Sequence, residues 1–241
     1  MSLSIGLRPT GGIMTITLGS PSHRPGRFVA LACRLWRHVF EHQRLIWLQR
    51  ELRDAPGQAQ AQAPDPSVHV EAIAAHNLGP LQRHFPQRMT QIRHLAAEGY
   101  TGVMCVDASG DAVAMSWGST RHYHDRHGSG CWFAADPGAY FEFASEVIAP
   151  YRDTRLAMTL HLALAKAMAA QGCHSATTVC QPRDTLAQQA CLRMGYKEQG
   201  RIMNVYRLFG RWTVSLETRY RGTRLRLSQS AAVRADAPGE V

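Results

Sequence analysis

Apolar and polar positions change rhythm several times along this chain. From Arg27 to Leu52, "RFVALACRLWRHVFEHQRLIWLQREL" sets Leu31, Leu35 and Val39 in one row with Trp36 and Phe40 beside it, while Arg34, Arg37, Arg44 and Arg50 supply positive charge. That spacing predicts a basic amphipathic helical segment over residues 26–54. Before it, residues 1–25 are rich in Gly, Ser, Pro and Thr without periodicity and read as a flexible leader. After it, "APGQAQAQAPDPS" breaks any helix with its prolines and carries little that packs, so residues 55–66 read as a linker.

The remainder alternates strand-like and helix-like runs. "SVHVEAI" predicts a strand, "PLQRHFPQRMTQIRHLAAEG" helix interrupted at Pro86, and "TGVMCVDASGDAVAMSWGS" two strands joined by a hairpin turn. "AYFEFASEVI" predicts another strand, Thr154 to Gln171 a long helix, and "HSATTVC" a buried strand. "TLAQQACLRMG" predicts a shorter helix closed by Gly195, and "YKEQGRIMNVYRLFG" a final strand. The order implies a mixed α/β domain with one central sheet over residues 67–212, followed by an Arg-rich, frayed tail over 213–241.

Composition narrows the class. With 241 residues, 45% of them hydrophobic, the chain supports one principal core with appendages. No apolar run near the start is long enough to span a bilayer, and the six cysteines lie mostly in apolar stretches with no C-x-x-C pair, which predicts buried free thiols and a cytoplasmic location. Lys plus Arg exceed Asp plus Glu by 27 to 18, chiefly through arginine, which favours planar contacts with phosphate and carboxylate. The arginines are dispersed and no interleaved aromatic motif or zinc module accompanies them, so no nucleic-acid partner is expected. His122, His124 and His127, with Asp125 and Cys131 nearby, match no closed zinc spacing; they read as a polar loop able to cover a pocket, and no metal is expected.

One stretch poses a question of charge. "IAPYRDTRLAMTLHLALAKAMAAQG" places Arg152 and Arg155 at the start of a helix, where the macrodipole disfavours cations. An anion bound there resolves the conflict, because the free N–H groups of a helix start hold phosphate and the two arginines neutralise it.

"YRDTRLA" and, downstream, "RDTLAQQACLRMGY" resemble the GNAT superfamily of acyl-CoA N-acyltransferases, whose order of strand, basic turn, long helix, strand, short helix ending in Gly-Tyr, and strand covers Ala139 to Gly210 here. The resemblance implies an α/β GNAT-like fold and an acetyl-CoA or longer acyl-CoA co-substrate. Its pyrophosphate would sit on the turn Arg152, Asp153, Thr154, Arg155, Leu156 and Ala157, with Asp184 at the entry to the next helix and oxyanion-binding main chain near Ile148. Arg155 stands where the family's turn has a glycine, and Cys191 where a tyrosine often protonates the departing thiolate. A base is needed to take the acceptor's proton. Glu142 and Glu146, four apart on an extended strand, would share one face beside the thioester.

The implied reaction moves an acyl group from CoA to an amine on a small molecule or saccharide, by direct attack. The basic segment with such a core also resembles bacterial GNAT proteins of cell-envelope and exopolysaccharide functions, which implies a helix docked on the core or a second subunit, or lying on the inner membrane face. Two alternatives stand beside this reading. An acyl-carrier protein is the donor partner in one, as in acyl-homoserine-lactone synthases; in the other the altered turn and absent tyrosine mark an inactive acyl-CoA-binding module.

Overall fold

Four consecutive apolar residues, Leu45, Ile46, Trp47 and Leu48, are each buried. A helix cannot direct four successive side chains into one stripe, whereas a strand sends them alternately to two faces. In the computed structural model they lie in β1 (Phe40–Glu51), with Leu45 and Trp47 in one core cluster and Ile46 and Leu48 in the other. The structure describes residues 40–52, 68–152, 155–209 and 212–225, all of which belong to a unit of residues 38–241. The second unit, residues 1–37, lies outside them, as do the expected leader at 1–25 and linker at 55–66.

The helix expected over 26–54 is therefore corrected for its second half. The Leu31/Leu35/Val39 row that suggested it precedes Phe40 and falls outside the described residues. β1 is a central strand, antiparallel to both β8 (Ser175–Cys180) and β9 (Lys197–Leu208), so its backbone groups pair on both sides. This pairing and two-sided burial outweigh any local preference for helix.

The tail expected at 213–241 is corrected as well. β10 (Trp212–Arg219) pairs antiparallel with β9, with Val214 opposite Tyr206, and Glu217 accepts two hydrogen bonds from Arg201 at 2.7 and 3.1 Å. Beyond residue 225 the chain is outside the described residues.

The other strands follow the hydrophobic pattern closely: β2 (Val68–Ile73), β3 (Thr101–Asp107), β4 (Ala112–Ser119) and β7 (Ala139–Val147), with the short β5 (Tyr123–His124) and β6 (Trp132–Phe133) forming a separate ribbon. The eight-stranded sheet has the order β10-β9-β1-β8-β7-β4-β3-β2. All its neighbours are antiparallel except β7 and β8. A parallel pair needs a crossover, and α2 (Leu156–Ala169) supplies it.

Helices and loops divide the core by face. α1 (Met89–Ala97) packs with the aromatic cluster of Trp117, Tyr123, Phe133, Phe141 and Phe143. α2 sets Leu156, Leu160, Leu164 and Met168 on the opposite face, and α3 (Thr185–Arg193) adds Ala187, Ala190 and Cys191. Each row of four-spaced residues is one helical stripe facing a sheet. Among the described residues no helix is long and apolar enough to cross a membrane. Cys105, Cys131, Cys173 and Cys180 are buried free thiols, as expected, while Cys191 is half-buried.

Candidate active site

The parallel strands part. β7 and β8 pair only where Ala139, Tyr140 and Phe141 face Ser175, Ala176 and Thr177. One residue further on, Thr178 Oγ1 donates to the Glu142 carbonyl at 3.0 Å, a side chain in place of a backbone donor. Beyond that point a cleft of about 980 Å³ opens between the strands. Its walls include Leu45, Met115 and Phe143 from one core face and Met158, Cys191 and Tyr196 from the other, so it passes through the sheet.

A bulge shapes the opening. Met115 lies opposite Glu146 and Trp117 opposite Phe143, so Ala144 and Ser145 together face Ser116 on β4. Ala144 takes a φ of 50°, a left-handed conformation that is uncommon for a residue with a Cβ. The extra residue reverses the alternation that follows it. Glu142 therefore turns toward the α2 face, while Glu146 turns toward the α1 face and accepts from Arg88 Nε at 3.1 Å. The expectation that the two carboxylates share a face is corrected: they line one cleft from opposite sides of the sheet.

Glu142 is the hub of a buried polar cluster. Its Oε2 accepts from the Tyr196 hydroxyl at 2.6 Å, and its Oε1 accepts from Ser116 Oγ at 3.1 Å and from His161 Nδ1. Ser116 in turn shares a hydrogen bond with Ser145 at 2.7 Å. Arg50, from β1, is only 4% exposed; its guanidinium lies 5.0 Å from the Tyr196 ring centre and Nη2 donates to the His161 carbonyl at 3.4 Å. Its Nε and Nη1 make no hydrogen bond within normal geometry, so its charge is balanced by the nearby Glu142 carboxylate, with the face of the Tyr196 ring beside it.

These contacts fix the charges. Burial alone would raise the Glu142 carboxyl, but His161, Arg50 and the Tyr196 hydroxyl outweigh it and hold the group well below the usual carboxylate range. Burial opposes the charge of Arg50, and the surrounding Tyr196, Glu142 and Tyr140 more than restore it. Burial and the neighbouring Glu142 charge push the Tyr196 hydroxyl far up, so it remains a donor. The Cys191 thiol is likewise pushed well above its ordinary value, first by burial and then by Cys180 and Glu142, which makes it a weak acid.

At the α2 end, a 3-10 turn at Ala149–Tyr151 leads from β7, and Arg152 Nε donates to the Val147 carbonyl at 3.2 Å. Arg155 is the N-cap of α2, with φ −71° and ψ −2°, and neither a side-chain cap nor an acidic residue occupies the helix start. A right-handed φ is accessible to any residue, so the arginine in place of glycine causes no backbone strain. Arg152, Arg155 and Ala157 line the cleft; Asp153 and Thr154 lie outside the described residues. Leu156 is buried in the core, and the Ile148 N–H is already committed to the Val113 carbonyl at 3.0 Å. Asp184 also lines the cleft, and its carboxylate caps α3 by accepting from the Ala187 N–H at 3.0 Å.

The opposite mouth is aromatic. Tyr123, Phe133, Phe141 and Phe143 line it, with Gln91, Asp125 and Glu146 as polar groups. The β5–β6 ribbon forms this wall: His124 stacks on Trp132, Asp125 accepts from Ser129 N and Oγ at 2.6 and 2.9 Å, and Arg207 donates to the Gly128 carbonyl. Asp125 and His127 of this loop border the cleft.

Sequence reading missed Arg50, His161, Tyr196 and Ser116. His161 does carry a signal, as the lone imidazole in the apolar run "LAMTLHLALAKAMA". Tyr196 was visible only as the aromatic of a Gly-Tyr pair. Arg50 gave none, because arginine on a basic segment reads as solvated.

No protein-family model matches the sequence, and no curated protein matches it. Solved structures do. The chain is similar to a tandem GNAT protein from the clavulanic acid biosynthesis pathway, with a TM-score of 0.51, 13% identity, and coverage of 81% of this chain and 62% of that one. A functionally unknown conserved protein from Staphylococcus epidermidis aligns at a TM-score of 0.50 with 12% identity over 78% of this chain and 69% of that one. A Drosophila protein aligns at 0.49 with 11% identity over 75% and 56%. The chain thus spans less than two thirds of the tandem and Drosophila proteins. Its fold is that of the GNAT acyltransferases.

Proposed function

We propose that this GNAT-fold chain is an N-acyltransferase that moves an acyl group from a CoA thioester to an amine on a small molecule. The observation that carries the reading is the cleft through the sheet, with a basic helix start at one mouth and an aromatic, carboxylate-bearing chamber at the other.

The residues present fit the donor. At the α2 mouth, unprotonated phosphate oxygens would meet the first N–H groups of the helix, whose first turn holds no acidic residue, with Arg152 and Arg155 adding charge. Where β7 and β8 separate, their backbone groups suit an extended amide-containing arm. The bulge at Ala144 and Ser145 presents main chain to the point where thioester and amine meet; this replaces Ile148 as the oxyanion-binding region, since the Ile148 N–H is occupied. Positioning both reactants in one cleft supplies most of the acceleration. Glu146, Asp125 and the aromatic wall suit a cationic amine on an apolar body. Cys191, a weak acid at the cleft, has no better claim to donate a proton than solvent.

Thermal melts with CoA, acetyl-CoA, longer acyl-CoAs and an acyl-carrier protein test the reading. A donor at one hundred times its Kd adds about 2.7 kcal/mol. Arg152→Glu should abolish CoA-dependent stabilisation with the ligand-free melt preserved. Unchanged CoA affinity in that variant refutes the placement; stabilisation by carrier protein alone transfers the donor role to it; binding without turnover on any amine supports the inactive binding module.

A further inference from the structure

We infer that His161 is the catalytic base of this site and that Glu142, fixed by Tyr196 and Arg50, positions it. The inference rests on the acyltransferase reading above and assigns a residue that neither the fold nor the resemblance supplies.

Geometry separates the two roles. Glu142 is 3% exposed, and its two oxygens already accept from Tyr196, Ser116 and His161. A carboxylate so engaged, and held far below its usual range, is a poor proton acceptor at neutral pH. His161 presents its Nδ1 to this anion, which selects the tautomer with hydrogen on Nδ1 and leaves the lone pair on Nε2. Among the described residues Nε2 has no protein hydrogen-bond partner, and the ring borders the cleft. The same carboxylate holds the ring in one orientation while Nε2 takes a proton.

Groups on every packed element support the same arrangement. Glu142 and, beside it, Tyr140 lie on β7, Arg50 on β1, Tyr196 just before β9 and Cys191 on α3. Arg50 holds Glu142 ionised without contacting the cleft. The other carboxylates that border the cleft are engaged elsewhere: Glu146 with Arg88, Asp125 with Ser129, and Asp184 with the start of α3.

The step balances simply. The bound ammonium first gives one proton to solvent, and the neutral amine nitrogen then attacks the thioester carbonyl to form the C–N bond. Nε2 takes the proton from that nitrogen, the C–S bond breaks as the carbonyl reforms, and the proton passes from the imidazolium to the departing thiolate. Amide and free thiol result, with no oxidant or further reactant.

His161→Asn is the informative variant, because the Asn amide keeps a donor toward Glu142 while Nε2 is lost. Its kcat should fall ~10²- to 10⁴-fold with donor Kd unchanged, and the acidic limb of the kcat/KM profile should disappear. Retention of both rate and acidic limb overturns the inference. Nitrogen NMR of ligand-free wild-type protein supplies a readout that requires neither variant nor turnover: His161 should carry its hydrogen on Nδ1, and Glu142→Gln should allow the other tautomer to appear. Hydrogen on Nε2 in the wild type overturns the assignment. A wild type that binds no acyl donor while showing the Nδ1 tautomer refutes the acyltransferase reading and leaves the dyad intact, so the two failures are distinguishable.

Discussion

Replacing Glu142 by Gln should remove a specific, pH-dependent portion of the stability of this protein. Its carboxyl is pushed down to about 2 from an ordinary 4.5, against burial, by His161, Arg50 and Tyr196. At about 1.4 kcal/mol per unit, that difference corresponds to ~3 kcal/mol. The sign follows from the depressed value: the contribution is complete above pH about 4.5 and is lost as pH falls toward 2, because only the unfolded chain takes up the proton in that interval. Wild type should therefore exceed Glu142→Gln by ~3 kcal/mol at pH 7, a Tm difference of roughly 6–12 °C for a domain of this size, and the two should converge on acidification. Urea unfolding of both proteins at closely spaced pH values measures the gap, and the subtraction removes the titration of all other carboxylates. Parallel curves from pH 7 to 2.5 would show that Glu142 is not held ionised, and the positioning argument for His161 would fall with it.

Arg50→Met should destabilise by ~3–5 kcal/mol because it leaves Glu142 as a buried charge without its cation, and adding Glu142→Gln to it should recover part of the loss in urea melts. Ala144→Val places a β-branched residue at φ 50°, and should cost on the order of 1–2 kcal/mol and lower kcat through distortion of the bulge, read by melts and steady-state rates together. Gly102→Ala puts a Cβ 2.7 Å from the Trp117 ring and 3.0 Å from Ile73 Cβ; since Trp117 is fully buried, calorimetry should register a loss of roughly 1–3 kcal/mol.

What the chain alone could reveal tracks how local the cause was. The strands β2, β3, β4, β7 and β8 were legible as short apolar runs bounded by turns, buried on both faces in β3 and β4, and the helices α1, α2 and α3 by their helical spacing. The basic start of α2 was legible for the same reason: two arginines against a helix dipole are a conflict visible in a few residues. β1 was not. Its apolar run fits helix or strand equally, and only the open edges of β8 and β9 decide for strand. β10 depended in the same way on β9 and on the Arg201–Glu217 pair.

The candidate chemistry divides similarly. Glu142 and Glu146 stood out as a pair four apart on one strand and Arg152 and Arg155 as charges at a helix start, all from neighbouring residues, while Asp184 came only from the resemblance. The hub around Glu142 joins Arg50 from β1, Ser116 from β4, His161 from α2 and Tyr196 from the edge of β9, positions separated by most of the domain. The bulge at Ala144 was equally silent, because nothing in "FEFASEV" marks which residue is extra until β4 provides the register. Sequence by itself determined the elements other than β1 and β10 and the positive charge at the start of α2, since period and dipole act over one or two turns. Tertiary structure alone decided which face each carboxylate takes and whether it stays ionised, since register comes from a partner strand and a buried charge is set by whatever the fold packs around it.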